Sequence, residues 1–240
     1  MDDKRFPEAG GGTRAVLWDV YGTLLDAQRG DLVGLVRRGD ELRSVFGRVI
    51  GHFGLRDRPA DLHGMFLGTI EARLGERRAA GVDHPEIRIE DIWRQIAPGV
   101  ESREIALCFE RWANPKRGLA DAAETLRAIR GRGLRQGIIS NAQFYTLIEL
   151  SELLEGDWRD VFDPELVILS CDLGVAKPDP EPFQRAAAVL AGHGIAPSGC
   201  LFVGDSAAND IAPARRAGFR AVRIGAGGDI VTPGEVMGRL

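Results

Sequence analysis

Cysteine is sparse in this chain of 240 residues. Cys108, Cys171 and Cys200 form no CxxC or CxxH spacing and are odd in number, which argues against a disulfide framework and against a zinc site. A reducing compartment is the expectation. Long apolar runs are missing as well. None approaches the roughly 18 residues that a spanning helix needs, and Met1 to Thr13 is polar and Gly-rich with no hydrophobic signal core. A membrane-spanning protein is thereby excluded and cytoplasmic residence is expected. A basic surplus is lacking too, since 31 Lys and Arg face 35 Asp and Glu for a formal net charge of -4, with the two signs interspersed. Phosphate-backbone binding needs a basic surplus or a segregated basic face, so nucleic acid is not an expected partner. Lysine is as rare as cysteine. Lys4, Lys116 and Lys177 are the full set, so a lysine inside a motif carries weight.

What remains is a globular composition. Hydrophobic residues at 44%, charged residues at 28% and a mean hydropathy of -0.11 supply enough apolar mass for a sizeable core. The run Ala15-Val16-Leu17-Trp18 reads as a buried strand that delivers Asp19 at its carboxyl end. Strand-like runs recur at Leu134 to Ile139, Leu166 to Leu169, Cys200 to Val203 and Ala221 to Ile224. Helical patterns lie between them, at Ala120 to Arg130, Phe144 to Leu154, Pro182 to Leu190 and Asn209 to Ala217. Such alternation predicts an α/β fold with a parallel sheet covered on both faces, where ligands bind at the carboxyl ends of the strands.

Residues 29–114 differ in kind. Leu42, Val45, Phe46, Val49 and Phe53 fall at helical spacing, as do Leu62, Met65, Phe66, Ile70 and Leu74. The same spacing returns at Ile89, Ile92, Trp93 and Ile96, then at Ile105, Cys108, Phe109 and Trp112. Four or five amphipathic helices are expected to pack as a bundle, with Trp93 and Trp112 in its core. The predicted layout is a flexible tail over 1–13, a core built from 14–28 and 115–240, and the inserted helical unit. Pro115 and the small residues after Ala27 are the candidate hinges.

Chemistry-bearing residues stand where strands end. Asp19 is followed by the turn Gly22-Thr23, whose backbone N–H groups are candidates for presentation to an anion. Taken alone, an acid there is a turn former. The second long strand ends in Ser140-Asn141 before a helix, an anion site if the hydroxyl, the amide and the helix N–H groups converge, and otherwise an ordinary cap. Lys177 lies in Gly174-Val175-Ala176-Lys177-Pro178, at the same predicted edge, where a solvated loop charge is the plain alternative. Gly204-Asp205 and Asp210 add two carboxylates. Asp210 alone reads as an early-helix acid, but with Asp19 the three offer hard oxygen ligands suited to Mg2+.

The ordered set of Asp19 with Gly22-Thr23, Ser140-Asn141, Lys177-Pro178 and Gly204-Asp205 with Asp210 resembles the haloacid dehalogenase-like (HAD) hydrolase superfamily, its helical-cap subgroup included. The resemblance runs from Arg14 over essentially the whole chain. It implies a Rossmann-like core with an inserted α-helical cap that closes over the strand ends and sets substrate choice. It also implies Asp19 as a nucleophile that forms a covalent aspartyl intermediate, Ser140 as a ligand of the transferred group, and Lys177 as the neutralising cation. Gly22, Thr23 and Asn141 fall at the substrate, and Mg2+ on Asp19, the Tyr21 carbonyl, Asp205 and Asp210. The partner so implied is a small anionic molecule, with neither nucleic acid nor membrane; nothing in the sequence sets an oligomeric state.

Two departures from the family pattern matter. Phosphatases of the family carry a second Asp two residues after the nucleophile as general acid and base; here Tyr21 stands there. Loss of such a group costs roughly 10² to 10⁴ in rate. The Asp-x-Tyr-Gly-Thr form is similar to 2-haloacid dehalogenases, whose halide leaves unprotonated. That branch, however, has Ser where Asp205 stands, Asn where Ala207 stands, and Tyr in the Lys-Pro segment where Phe183 stands. The metal motif requires two acids in place and outweighs one substitution. The expectation is therefore a Mg2+-dependent phosphatase of a small metabolite, with a dehalogenase-like hydrolase or a catalytically impaired binding protein as alternatives.

Several other groups receive plainer readings. Arg127, Arg130, Arg132 and Arg135 are expected at a solvated helix end, while Arg37-Arg38 and Arg77-Arg78 are candidates to reach a substrate anion. His52, His63, His84 and His193 show no mutual spacing of a metal site.

Overall fold

The computed structural model describes residues 12–27, 39–56 and 59–240, without the side chains of 39–41 and 59. Of the tail expected over 1–13, residues 1–11 lie outside the described residues, as do the hinge residues after Ala27 and Arg37-Arg38, whereas Thr13 is buried and its Oγ1 accepts from Arg220 Nη1 at 2.6 Å, so the ordered core begins before Arg14. The chain divides into two compact units. The first joins the residues up to Asp26 with Gly118–Leu240, and the second takes Ala27–Arg117.

The first unit is built on five parallel strands: β1 (Ala15–Trp18), β4 (Arg135–Ser140), β5 (Val167–Leu169), β6 (Cys200–Gly204) and β7 (Arg220–Arg223), in the order β5-β4-β1-β6-β7. Two short strands, β2 (Leu25–Ala27) and β3 (Lys116–Gly118), pair at the two points where the chain passes between units. At three residues each they are too short to show an alternating pattern, which is why periodicity missed them.

Strand β1 is central and buried on both faces, and alternation sorts its side chains. Ala15 and Leu17 join Ile139, Phe183, Leu190 and Phe202 on one face; Val16 and Trp18 join Leu126, Ile138, Leu150 and Val203 on the other. Each fully buried Leu, Val or Phe contributes about 1.5–3 kcal/mol. The polar edge of Trp18 is also satisfied, its Nε1 donating to Gln136 Oε1 at 3.2 Å while Gln136 Nε2 donates to Leu126 O at 2.8 Å. Register then aligns the strand ends. Trp18 pairs with Ile138 on one side and Val203 on the other, so Asp19, Ser140 and Gly204 emerge at neighbouring positions.

The second unit contains α1 (Gly39–Phe53), α2 (Pro59–Ala79), α3 (Ile89–Ile96) and α4 (Ser102–Ala113). Its centre is aromatic. Phe46, Phe66, Trp93 and Phe109 are fully buried, with ring centroids 4.8–5.9 Å apart, the range for tilted and edge contacts. Two expectations fail here. Met65, on the apolar stripe of α2, is 42% exposed, and Trp112 is only part-buried, with the Arg48 guanidinium 4.2 Å over its ring. A buried ion pair joins Lys116 to Glu110, and Lys116 Nζ also donates to Asn114 O at 2.7 Å. No helix among the described residues is long and apolar enough to cross a membrane.

The remaining helices of the first unit are α5 (Ala122–Gly131), α6 (Thr146–Leu154), α7 (Ser170–Leu173), α8 (Glu181–Gly192) and α9 (Ala212–Arg216). The single helix expected over Asn209 to Ala217 is instead a π-helical turn, Ala207–Ile211, followed by α9. Ile211 N–H reaches Ser206 O at 3.1 Å, and Pro213, which has no N–H, leaves the ordinary ladder incomplete there. The arginine cluster is not simply solvated: Arg127 donates to Leu154 O and Arg135 pairs with Asp163. His193 pairs with Glu165 at 3.0 Å, and with Asp163 these two form a mixed cluster that residue spacing did not suggest.

Candidate active site

Lys177 is the centre of the site. The loop after α7 carries its side chain into the sheet's carboxyl edge, where Nζ donates to Asp19 Oδ1 at 2.8 Å, to Asp210 Oδ1 at 2.5 Å and to Ile139 O at 3.0 Å. All three ammonium protons are engaged, and the residue is 5% exposed. Asn141 holds the lysine's backbone from both sides. Its Oδ1 accepts from Lys177 N at 2.7 Å and its Nδ2 donates to Lys177 O at 3.0 Å. Both ends of the amide expected at the substrate are thus bonded to the Lys177 backbone.

Two glycines allow the acids to crowd together. Gly22 has φ +82°, and a Cβ there would lie 2.3 Å from Asp205 Oδ2. At Gly204 a Cβ would fall 2.6 Å from the Asp210 side chain. Asp210 Oδ2 in turn accepts from Ser206 N at 2.9 Å. Asp19, Asp205 and Asp210 each present an oxygen within 4.8 Å of the others.

Three carboxylates around one lysine leave negative charge uncompensated. Burial raises the Asp19 carboxyl above its ordinary value; the Lys177 charge opposes this and the Asp210 charge adds to it. Asp205 is raised by burial and then by Asp19. For Lys177, burial works to lower the ammonium's value, but the Asp19 and Asp210 charges outweigh it and hold the group protonated.

The turn after β1 does not offer its N–H groups outward as expected. Gly22 N–H donates to Leu25 O at 2.7 Å and Thr23 N–H to Val20 O at 3.2 Å, because the chain folds back at once into β2. Nor does a helix begin beside Asn141, since α6 starts only at Thr146. What the edge does offer is hydroxyls. Thr23 Oγ1 and Ser140 Oγ are buried and have no hydrogen-bond partner among the described residues. Ser140 lies near enough to Asp19 to favour its ionised form without a bond of normal geometry. Buried orphan hydroxyls are rare in folded proteins and mark a place where a ligand completes the bonding.

Tyr21 brings in residues that the sequence did not single out. Its phenol lies 2.7 Å from Thr146 Oγ1 and donates to Glu149 Oε2 at 2.7 Å. Thr146 is fully buried and Glu149 nearly so. Their three-residue spacing at the start of α6 was the available signal, a polar pair on one helix face.

The carboxyl edge of a parallel α/β sheet thus gathers a strand-end aspartate, a buried lysine and two further acids. The haloacid dehalogenase-like hydrolase family matches residues 13–218, and the chain belongs to that family. It is similar to Phosphatase MT3486 of Mycobacterium tuberculosis (strain CDC 1551 / Oshkosh), 31% identical over 134 residues, covering 55% of this chain and 58% of that protein. The chain spans about half the length of the curated relatives it matches. Its fold is that of a HAD phosphatase from Thermococcus onnurineus, with a TM-score of 0.58 and 24% identity over 95% of this chain and 97% of the other. A 2-haloacid dehalogenase from Pseudomonas syringae pv. Tomato DC3000 shares the fold equally, with a TM-score of 0.57 and 18% identity over 94% and 97%.

Proposed function

We propose that the chain is a Mg2+-dependent phosphatase of a small anionic metabolite, working through Asp19. The supporting observation is the charge imbalance at the strand ends, three carboxylates with oxygens within 4.8 Å facing one lysine. The curated relatives' names agree. A hard divalent cation fits the all-oxygen donor set and relieves the crowding that raises Asp19 and Asp205. Asp19, Asp205 and the Tyr21 carbonyl would hold it, with Asp210 in support. When bound, Mg2+ supplies charge neutralisation between Asp19 and an incoming phosphate.

The remaining roles belong to the chain itself. Ser140 and Thr23 donate their free hydroxyls to phosphate oxygens. Lys177 offsets the charge of Asp19, and Asp210 and Asn141 keep Lys177 in place. An Asp19 oxygen bonds to phosphorus as the bond to the leaving oxygen breaks, and that oxygen keeps the electron pair. Water then bonds to phosphorus and Asp19 departs as carboxylate, both water protons remaining on the phosphate product as H2PO4⁻. Residues 27–117 correspond in this reading to the family's helical cap and select the substrate.

A dehalogenase reading has one observation in its favour, Tyr21 at the position of the phosphatases' second Asp, and Asp205 stands against it. The test is release of phosphate or of halide from a panel of phosphorylated metabolites and 2-haloacids, with Mg2+ and with EDTA. Phosphate release that EDTA abolishes is the expected result. Halide release indifferent to EDTA would replace the reading with the dehalogenase one, and turnover of nothing would leave a ligand-binding member of the family.

A further inference from the structure

We infer that this site transfers phosphoryl groups without protonating the leaving group, so that its substrates are phosphoryl compounds with acidic leaving groups, acyl phosphates foremost, rather than phosphate esters of simple alcohols. The inference rests on the phosphatase reading above and follows from where the protons of the site go. Lys177 has three, donated to Asp19, Asp210 and Ile139 O. Asp210 accepts on both oxygens, from Lys177 and from Ser206 N–H. Asp19 is the attacking group and Asp205 belongs to the metal. The hydroxyls of Ser140 and Thr23 bind oxygen atoms well but are far too weakly acidic to protonate a departing alkoxide at neutral pH. The sheet unit's described histidine, His193, is paired with Glu165.

Among the described residues of the sheet unit, Tyr21, two residues after Asp19, is the remaining proton carrier, and its proton is donated elsewhere. The phenol donates to Glu149 Oε2 at 2.7 Å, and Thr146 Oγ1 lies at the same distance on its other side. Both partners come from the first turn of α6, and both are buried in the folded unit. Turning the phenol toward a leaving group breaks a bond to a buried carboxylate, an interaction of the stronger, charge-assisted kind. A phenol is also a weak acid, with an ordinary pKa of about 10. Glu149 and Thr146 are therefore positioning residues that fix Tyr21 as a non-donor. Chemistry at Asp19 then depends on how well the leaving group carries its own negative charge.

The experiment is a leaving-group series with Mg2+: acetyl phosphate, p-nitrophenyl phosphate, phenyl phosphate and ethyl phosphate. The two aryl esters are nearly alike in shape, so their ratio isolates leaving-group acidity from recognition. For the unaltered protein, kcat/KM should fall by roughly 10²–10⁴ from the acidic leaving groups to ethyl phosphate, the range a missing general acid produces. Tyr21→Phe should keep the same spread whatever its absolute rates, because the phenol proton was never delivered. Tyr21→Asp should narrow it. A spread below tenfold in the unaltered protein, or one that widens in Tyr21→Phe, would overturn the inference, since a proton donor would then be at work. Release of phosphate from none of the four by folded, Mg2+-supplied protein is a different result, and it removes the phosphatase reading together with the inference built on it.

Discussion

Two of the three lysines are buried in ion pairs, one in each unit, and the acids gathered around Lys177 set it apart. Lys116, in the helical unit, pairs with Glu110, with Asn114 O as a further acceptor. Lys177, in the sheet unit, sits among Asp19 and Asp210 with Asp205 close by, one cation against three anions. In the first pair the two unit charges are opposite and cancel. The second retains charge that burial makes costly, and that residue of charge is what marks a site.

The contrast can be broken first at Asp19. Asp19→Asn keeps the shape of the side chain but cannot attack, and turnover should fall by roughly 10⁴-fold or more while circular dichroism stays unchanged. Retained turnover in that variant would show that the charged cluster is structural after all. At the other lysine the effect should fall on stability. Glu110→Ala takes a buried carboxylate away from Lys116 and should cost about 3–5 kcal/mol in urea unfolding, whereas Glu110→Leu combined with Lys116→Met should recover most of it. The third expectation concerns the metal. At about 100-fold over its dissociation constant Mg2+ contributes about 2.7 kcal/mol by mass action, a rise of roughly 5–10 °C in Tm, and Asp205→Ala should abolish the rise while Glu110→Ala keeps it.

The smallest effect carries a sign. A carboxyl raised in the folded state still holds its proton there at pH values where the unfolded chain has released it, so stability falls as pH rises through that window. Above the window the loss is constant. In metal-free protein at pH 7, Asp205→Asn should therefore be slightly more stable than the parent, by no more than about 1 kcal/mol given how exposed the group is. The advantage should disappear as pH is lowered below about 4. An Asp205→Asn protein less stable than the parent at pH 7 would mean that the acids are not in conflict.

Much of this arrangement was legible from residue order. The strand pattern placed Asp19, Ser140 and Asp205 at one edge because parallel strands deliver their carboxyl ends to the same side, and scarcity drew notice to Lys177. The parts that escaped notice are those whose sequence signal is ordinary. Thr146 and Glu149 look like any polar pair on a helix face until Tyr21 is seen to reach them. Asn141 reads as a cap, and only the return of the chain at residue 177 reveals its second role. Met65 obeys the apolar spacing of α2 but faces outward, since spacing tells which residues share a stripe and not whether a partner covers every part of it. The π-helical turn at Ala207–Ile211 depends on a proline two residues beyond it, a conflict between local rules that periodicity alone does not resolve.

The strand order β5-β4-β1-β6-β7 has a consequence in time. Strand β1, which ends at Asp19, lies in the middle of the sheet, yet both of its neighbours come much later in the chain, and the Asp19–Lys177 contact alone joins residues 158 apart. Closing loops of that length is slow compared with forming any one helix. During synthesis Asp19 is made early and Lys177, Asp205 and Asp210 are made late, so the cluster is complete only when the chain has almost finished folding. Under the proposed function, turnover will then report complete assembly of the sheet more faithfully than helix content does.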